Sequence, residues 1–197
     1  MTFDPTDFNA HLSEAQQSVL QEQAEQRVNA FLTKRPAKFT TEGDLHPKVL
    51  DWCRDFYRGT AGALVLVGGV GAGKTWSLWK AGETLIRNGY RGRYEVVDAY
   101  DIKDAMRDRD KDAKALVGTW LHADFLGIDD IGAIGMHDWD GDNLHRLINE
   151  RWKHDRPTGL TTNSPQLREL VGERVASRLS DGATFVAMGD TDRRRNK

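Results

Sequence analysis

Cysteine is nearly absent: Cys53 stands alone in 197 residues. A single thiol excludes an internal disulfide framework and a cysteine-rich zinc site, and it fits a reducing compartment. No apolar run approaches the roughly 20 residues that a membrane helix needs. The opening stretch MTFDPTDFNA has neither a basic segment nor an apolar core, so no signal peptide is expected. Neither sign of charge dominates, since 28 Lys and Arg face 30 Asp and Glu for a net charge of −2. Any nucleic-acid surface must therefore be a local basic patch. The six histidines are scattered without metal-ligand spacing. DWDGDN at 138–143 fails as a calcium loop, because Asn143 and Asn149 stand where a loop of that kind needs Gly and Glu. Helix capping before Leu144 explains it better. These absences lead to the expectation of a cytoplasmic protein with no membrane segment and one domain's worth of core.

What is present changes character near residue 40. Leu12, Val19, Leu20, Val28, Phe31 and Leu32 recur at helical spacing in a Gln-, Glu- and Ala-rich stretch. Residues 1–40 are expected to be an N-terminal helical extension, packed on its own domain or docking a partner; Pro36 ends the helix. Residues 41–197 then alternate short apolar strands with helices. Strands are expected at 63–67, 94–99, 125–128, 158–162 and 184–188. Helices are expected from Pro47 to Gly59, after the glycine run to Asn88, and over 101–122, 141–154 and 165–179. That order implies an α/β fold with a parallel sheet covered on both faces.

The stretch Gly68-Gly69-Val70-Gly71-Ala72-Gly73-Lys74-Thr75 fits G-x-x-x-x-G-K-[ST] at every fixed position, between a strand and a helix. Glycines let successive backbone N–H groups turn inward into a nest for anionic oxygens. The helix start adds its positive dipole end. Lys74 is expected to reach the β- and γ-phosphates of ATP, and Thr75 to offer its hydroxyl to Mg²⁺. Contacts to the nucleotide are expected from Gly68 to Trp76. In FLGIDDIG, Asp129 and Asp130 stand at the carboxyl end of a buried strand, the ligand-bearing edge of a parallel sheet. Asp129 is expected to hold Mg²⁺ and Asp130 to orient and deprotonate an attacking water. Two turn aspartates are the plain alternative.

GGVGAGKT, FLGIDDIG, LINERW, RPTGLTTNSP and GERVASRL occur in this order. Together they resemble the DnaC/IstB group of AAA+ ATPases, nearest its DnaC-like helicase loaders, over about residues 40 to 190; phages of high-GC bacteria encode short proteins of similar layout. The resemblance implies a P-loop NTPase core with a five-stranded parallel sheet in order 5-1-4-3-2. It makes Asn163 the sensor that contacts the γ-phosphate or the attacking water, where a helix cap is the alternative. It makes Arg178 an arginine finger reaching the nucleotide of a neighbouring copy, with Arg174 as companion or in exchanged roles; two solvated arginines are the alternative. Asp130 departs from the Glu often found there, which implies slow hydrolysis. Only nine residues follow the fifth strand, so no C-terminal lid domain is expected, and Arg194 is the candidate second sensor.

The same resemblance places single-stranded DNA near the segment after the second strand. Lys103, Arg107, Arg109, Lys111 and Lys114 could track its phosphates, although six aspartates interleave and a solvated charged helix is the alternative. The implied partners are a replicative helicase, met through the N-terminal helix, single-stranded DNA and further copies of the chain. An ATPase that loads a helicase is the leading expectation. A transposition helper of the IstB kind would share its motor. A nucleotide-gated scaffold with little hydrolysis follows if Asp130 activates water poorly. A small-molecule kinase is disfavoured by the second acid and the arginine pair.

Overall fold

Five short apolar runs form one parallel sheet. The computed structural model describes residues 13–108, 110–133, 143–189 and 191–192. The strands are β1 (Leu64–Val67), β2 (Tyr94–Asp98), β3 (Phe125–Asp129), β4 (Thr158–Thr162) and β5 (Thr184–Ala187). Their order is β2-β3-β4-β1-β5, the 5-1-4-3-2 arrangement expected from the sequence. Leu66 is in register with Thr161, and Ile128 with Leu160. The carboxyl ends of β1, β3 and β4 therefore lie side by side.

Alternate strand residues feed two cores, as the two-residue period of a strand requires. Leu64, Leu66 and Phe125 pack with α1 (Glu14–Leu32), α2 (Pro47–Tyr57) and α3 (Lys74–Arg87). Leu126, Ile128 and Leu160 pack on the other face with α4 (Ala99–Arg107), α5 (Lys111–His122), α6 (Asn143–Lys153), α7 (Leu167–Val171) and α8 (Glu173–Ser180). Among the described residues no helix is long and apolar enough to cross a membrane.

Two helices expected as single elements are each divided. The 101–122 stretch breaks because Asp108 adopts an extended backbone (φ −71°, ψ 137°) and Asp110 caps α5 by accepting from the Asp112 N–H. Asp98 caps α4 in the same way through the Tyr100 N–H. Three of the interleaved aspartates thus build turns and caps, where Asp side chains compete best for backbone donors. The 165–179 stretch divides at Gly172, whose φ of 79° and ψ of 159° leave the helical region.

Helix α1 begins with a capping box between Ser13 and Gln16. Its Val28 and Phe31 are buried. Phe31 approaches α3 at Gly82, where a Cβ would lie 2.6 Å from the Phe31 ring. Just beyond α1, Arg35 donates to Glu83 of α3 at 2.9 Å, with both side chains at least 93% buried. Lys80 and Arg87 also pair with Glu83. Burial works against the Glu83 charge, but Arg87, Lys80 and Arg35 together hold its carboxyl below the usual carboxylate range. A depressed folded-state pKa contributes stability that is present above the unfolded value and lost as pH falls through the folded one. Glu83→Gln should therefore lower stability at pH 7 by roughly 1–3 kcal/mol. Thermal unfolding across pH should show the gap between the variant and the parent closing as pH falls below the ordinary value of 4.5.

Candidate nucleotide site

β1 runs directly into the glycine loop, and α3 starts at Lys74. Gly71 and Gly73 take positive φ of 79° and 93°, the left-handed backbone that aims successive N–H groups into one concavity. The loop is tied to both strands that flank β1: the Gly68 N–H donates to the Thr162 carbonyl, and the Gly69 N–H to the Gly189 carbonyl. Ala72 is buried, whereas Val70 stands exposed at the tip. Trp76 donates its indole N–H to the Thr41 carbonyl at 2.8 Å, so the segment before α2 lies against the first turn of α3.

The side chains at the strand ends converge. Lys74, buried in the loop, donates through Nζ to the carbonyls of Gly68 and Gly69, both at 2.8 Å, and to Asn163 Oδ1 at 2.7 Å. Thr75 donates to Asp129 Oδ1 at 2.8 Å. Thr161 donates to the same oxygen at 2.6 Å and accepts from the Asp130 backbone N–H at 2.8 Å. Burial pushes the Asp129 carboxyl above its usual range; hydrogen bonds from Thr161 and Thr75 pull back, and the charges of Asp130 and Asp98 push it further up. The Asn163 carboxamide meets Lys74, while the neighbouring Ser164 hydroxyl accepts from the Gln166 N–H before α7.

Asp130 follows the strand with φ of 52°. Together with Gly132, Asn163, Ser164, Pro165, Gln166 and Leu170 it lines an open groove of about 500 Å³. The donor set fits a hard divalent cation: a half-buried carboxylate and a hydroxyl whose hydrogen is committed to that carboxylate, leaving its lone pairs for a metal. The half-buried carboxylate also gains from a positive charge placed beside it.

The two helix arginines lie elsewhere. Arg178 on α8 donates Nε to Asn149 of α6 at 2.6 Å and Nη1 to the Arg174 carbonyl at 3.1 Å. Its guanidinium sits 5.3 Å from the centre of the Trp152 ring, and the Trp152 indole donates to Asp181. Arg174 is exposed. Among the described residues, the hollow beside Arg178 and Trp152 shares no lining residue with the groove at Asp130. Of the basic residues after β2, Arg107, Lys111 and Lys114 are exposed and Lys103 is half-buried, 5.9 Å from the centre of the Tyr100 ring. Arg109, Arg194 and most of DWDGDN lie outside the described residues.

Sequence reasoning missed Thr161, and also Asn149 and Trp152 as the neighbours of Arg178. The available signal for the first was the composition of β4, a fully buried central strand reading TGLTT with three hydroxyls.

A parallel sheet whose first strand feeds a glycine loop and Lys-Thr helix, with a carboxylate two strands away, defines a P-loop ATPase domain of the AAA+ class. The chain belongs to the family of IstB-like ATP binding proteins, whose model matches residues 21–170. The replicative helicase loader DnaC of Escherichia coli (strain K12) is 27% identical over 108 residues, which are 52% of this chain and 44% of that protein. The chain thus matches less than half the length of that curated relative. A crystal structure of the DnaC helicase loader superposes with a TM-score of 0.60 at 24% identity, covering 76% of this chain and 94% of that one. AMPPCP-bound DnaA from Aquifex aeolicus gives 0.61 at 19% identity, over 77% and 50%. At these identities the superpositions show the shared fold.

Proposed function

We propose that the chain is an ATP-hydrolysing accessory protein of DNA replication that seats a replicative helicase on single-stranded DNA. The observation that carries the ATPase half is the pair of bonded sets Lys74–Asn163 and Thr75–Asp129–Thr161, which brings α3, β3 and the end of β4 together beside the glycine loop. The replication half is supported by the named relative.

In this reading the loop amides and Lys74 bind the phosphates, and Asp129 with Thr75 holds Mg²⁺, which supplies charge neutralisation. Asp130, in the groove, orients a water and accepts its proton as the water oxygen bonds to the γ-phosphorus. The bond from that phosphorus to the β–γ bridging oxygen breaks, giving ADP and phosphate. Asn163 contacts the γ-phosphate or the water. Arg178 and Arg174 act on the site of a neighbouring copy, and Arg194 serves as the second sensor. Arg107, Arg109, Lys111 and Lys114, with Lys103, track the DNA backbone. The extension 1–40 meets the helicase through the outward face of α1, where Val19 is 53% exposed.

Steady-state ATP hydrolysis across a protein-concentration series, with and without single-stranded DNA, tests the reading, together with a helicase pull-down. Specific activity should rise with concentration and with DNA, and Lys74→Ala should reduce it by about 10²-fold or more, as loss of a preorganised phosphate contact does elsewhere. ATP-independent behaviour and no helicase binding would overturn it. The family description favours a second reading, a transposition helper; stimulation by duplex rather than single-stranded DNA would select that one. ATP binding with assembly but negligible turnover would select a nucleotide-gated scaffold.

A further inference from the structure

Thr161 sits in the central strand with 1% of its surface exposed. A hydroxyl there must find partners, because burying it bare is costly. Valine would fill the same volume in a fully buried strand with no such demand. Thr161 has one hydrogen and directs it to Asp129 Oδ1 at 2.6 Å. The oxygen's acceptor side takes the Asp130 N–H at 2.8 Å. One side chain is therefore bonded to both consecutive acids, to the carboxylate of the first and the peptide of the second.

The two bonds do different things. Thr75 from α3 and Thr161 from β4 hold Asp129 Oδ1 from two elements, which limits rotation of the carboxylate. The bond to the Asp130 N–H anchors a residue that has a positive φ of 52° without being glycine. Such a conformation persists only where the surroundings impose it. It also ends the strand geometry after Asp129, so that Asp130 reaches the groove it shares with Asn163.

We infer that Thr161 is a positioning residue that sets the cation-binding carboxylate of Asp129 and the water-orienting carboxylate of Asp130 through a single hydroxyl. The inference rests on the ATPase reading of these two acids. It assigns the hydroxyl a double role that packing alone does not require.

The test compares the full chain with Thr161→Val and Thr161→Ser, using a fluorescent ATP analogue with and without Mg²⁺, steady-state hydrolysis, and a thermal midpoint for each protein. The parent should bind the analogue more tightly when Mg²⁺ is added. Thr161→Val should keep the Mg²⁺-free affinity but lose the tightening by roughly tenfold or more, the scale of a hydrogen bond to a charged group. Its hydrolysis should fall at least as far, and Thr161→Ser should recover most of both. If valine folds poorly, Thr161→Ala against Thr161→Ser decides on the same terms. Equal Mg²⁺ response in Thr161→Val and the parent overturns the inference, as does a serine variant no better than the hydroxyl-free ones. If the parent itself binds no nucleotide in a Lys74-dependent way, the ATPase reading falls and this inference with it. If it does bind and Thr161→Val matches it, the inference alone falls.

Discussion

Arg178→Ala is expected to lower ATP hydrolysis by about 10³-fold while leaving ATP affinity nearly unchanged, because a guanidinium supplied in trans stabilises charge that exists only as the phosphoryl group transfers. The side chain lies between Asn149 and Trp152, away from the glycine loop of its own chain. Under the proposed function its role in hydrolysis is played at a second copy, whose open groove contains Asp130 and Asn163. Mixing gives the decisive measurement. Arg178→Ala retains a complete phosphate site, and Lys74→Ala retains a complete arginine. Each alone should be nearly inactive, and together they should recover a measurable fraction of parental turnover. No recovery in mixtures that still associate would remove Arg178 from the chemistry.

Arg151→Met should unfold the protein far more readily, by about 3–5 kcal/mol, because several acceptors would lose a buried donor at roughly 1–3 kcal/mol each. Arg151 has no exposed surface. It donates to the carbonyls of Trp120 and Ala123 at 2.6 and 2.8 Å, to that of Pro157 at 2.7 Å and to the Thr158 hydroxyl at 3.0 Å. The last carbonyls of a helix lack intrahelical partners, and here the end of α5 is closed by Arg151 and by Arg156, which donates to the Leu121 carbonyl. Burial lowers the pKa of the Arg151 guanidinium, Arg156 lowers it further, and Asp124 works the other way. Arg151→Lys should recover only part of the loss, because a point charge cannot reproduce the planar fork. Urea denaturation of the three proteins measures the effect; a shift below about 1 kcal/mol, the scale of a single neutral hydrogen bond, would refute the stapling role.

Much of the fold was legible because its signals are local. LVLV before a glycine run and TGLTT between polar helices place β1 and β4 from composition alone. The strand order came from resemblance, since nothing local in the sequence orders parallel strands. The divisions at Asp110 and Gly172 were not legible, because Asp and Gly occur within helical patterns as well as at their ends, and only the capping geometry separates the cases. In the site, Lys74, Thr75 and Asp129 were singled out from motifs and Asn163 from the resemblance. Thr161 was not, because its significance lies in a contact across strands, between residues 32 positions apart. Arg178 was readable as a residue, but its setting on Trp152 and Asn149 depends on how α8 packs against α6.

Helix α3 carries two attachments on one rigid body. Its first two residues, Lys74 and Thr75, belong to the phosphate loop. Glu83 and Gly82 fasten the same helix to Arg35 and Phe31 of the N-terminal segment. Nine residues separate Lys74 from Glu83, about 14 Å along a helix axis. The N-terminal segment and the residues beside the phosphates are thus joined to one continuous helix, one near its middle and the other at its start.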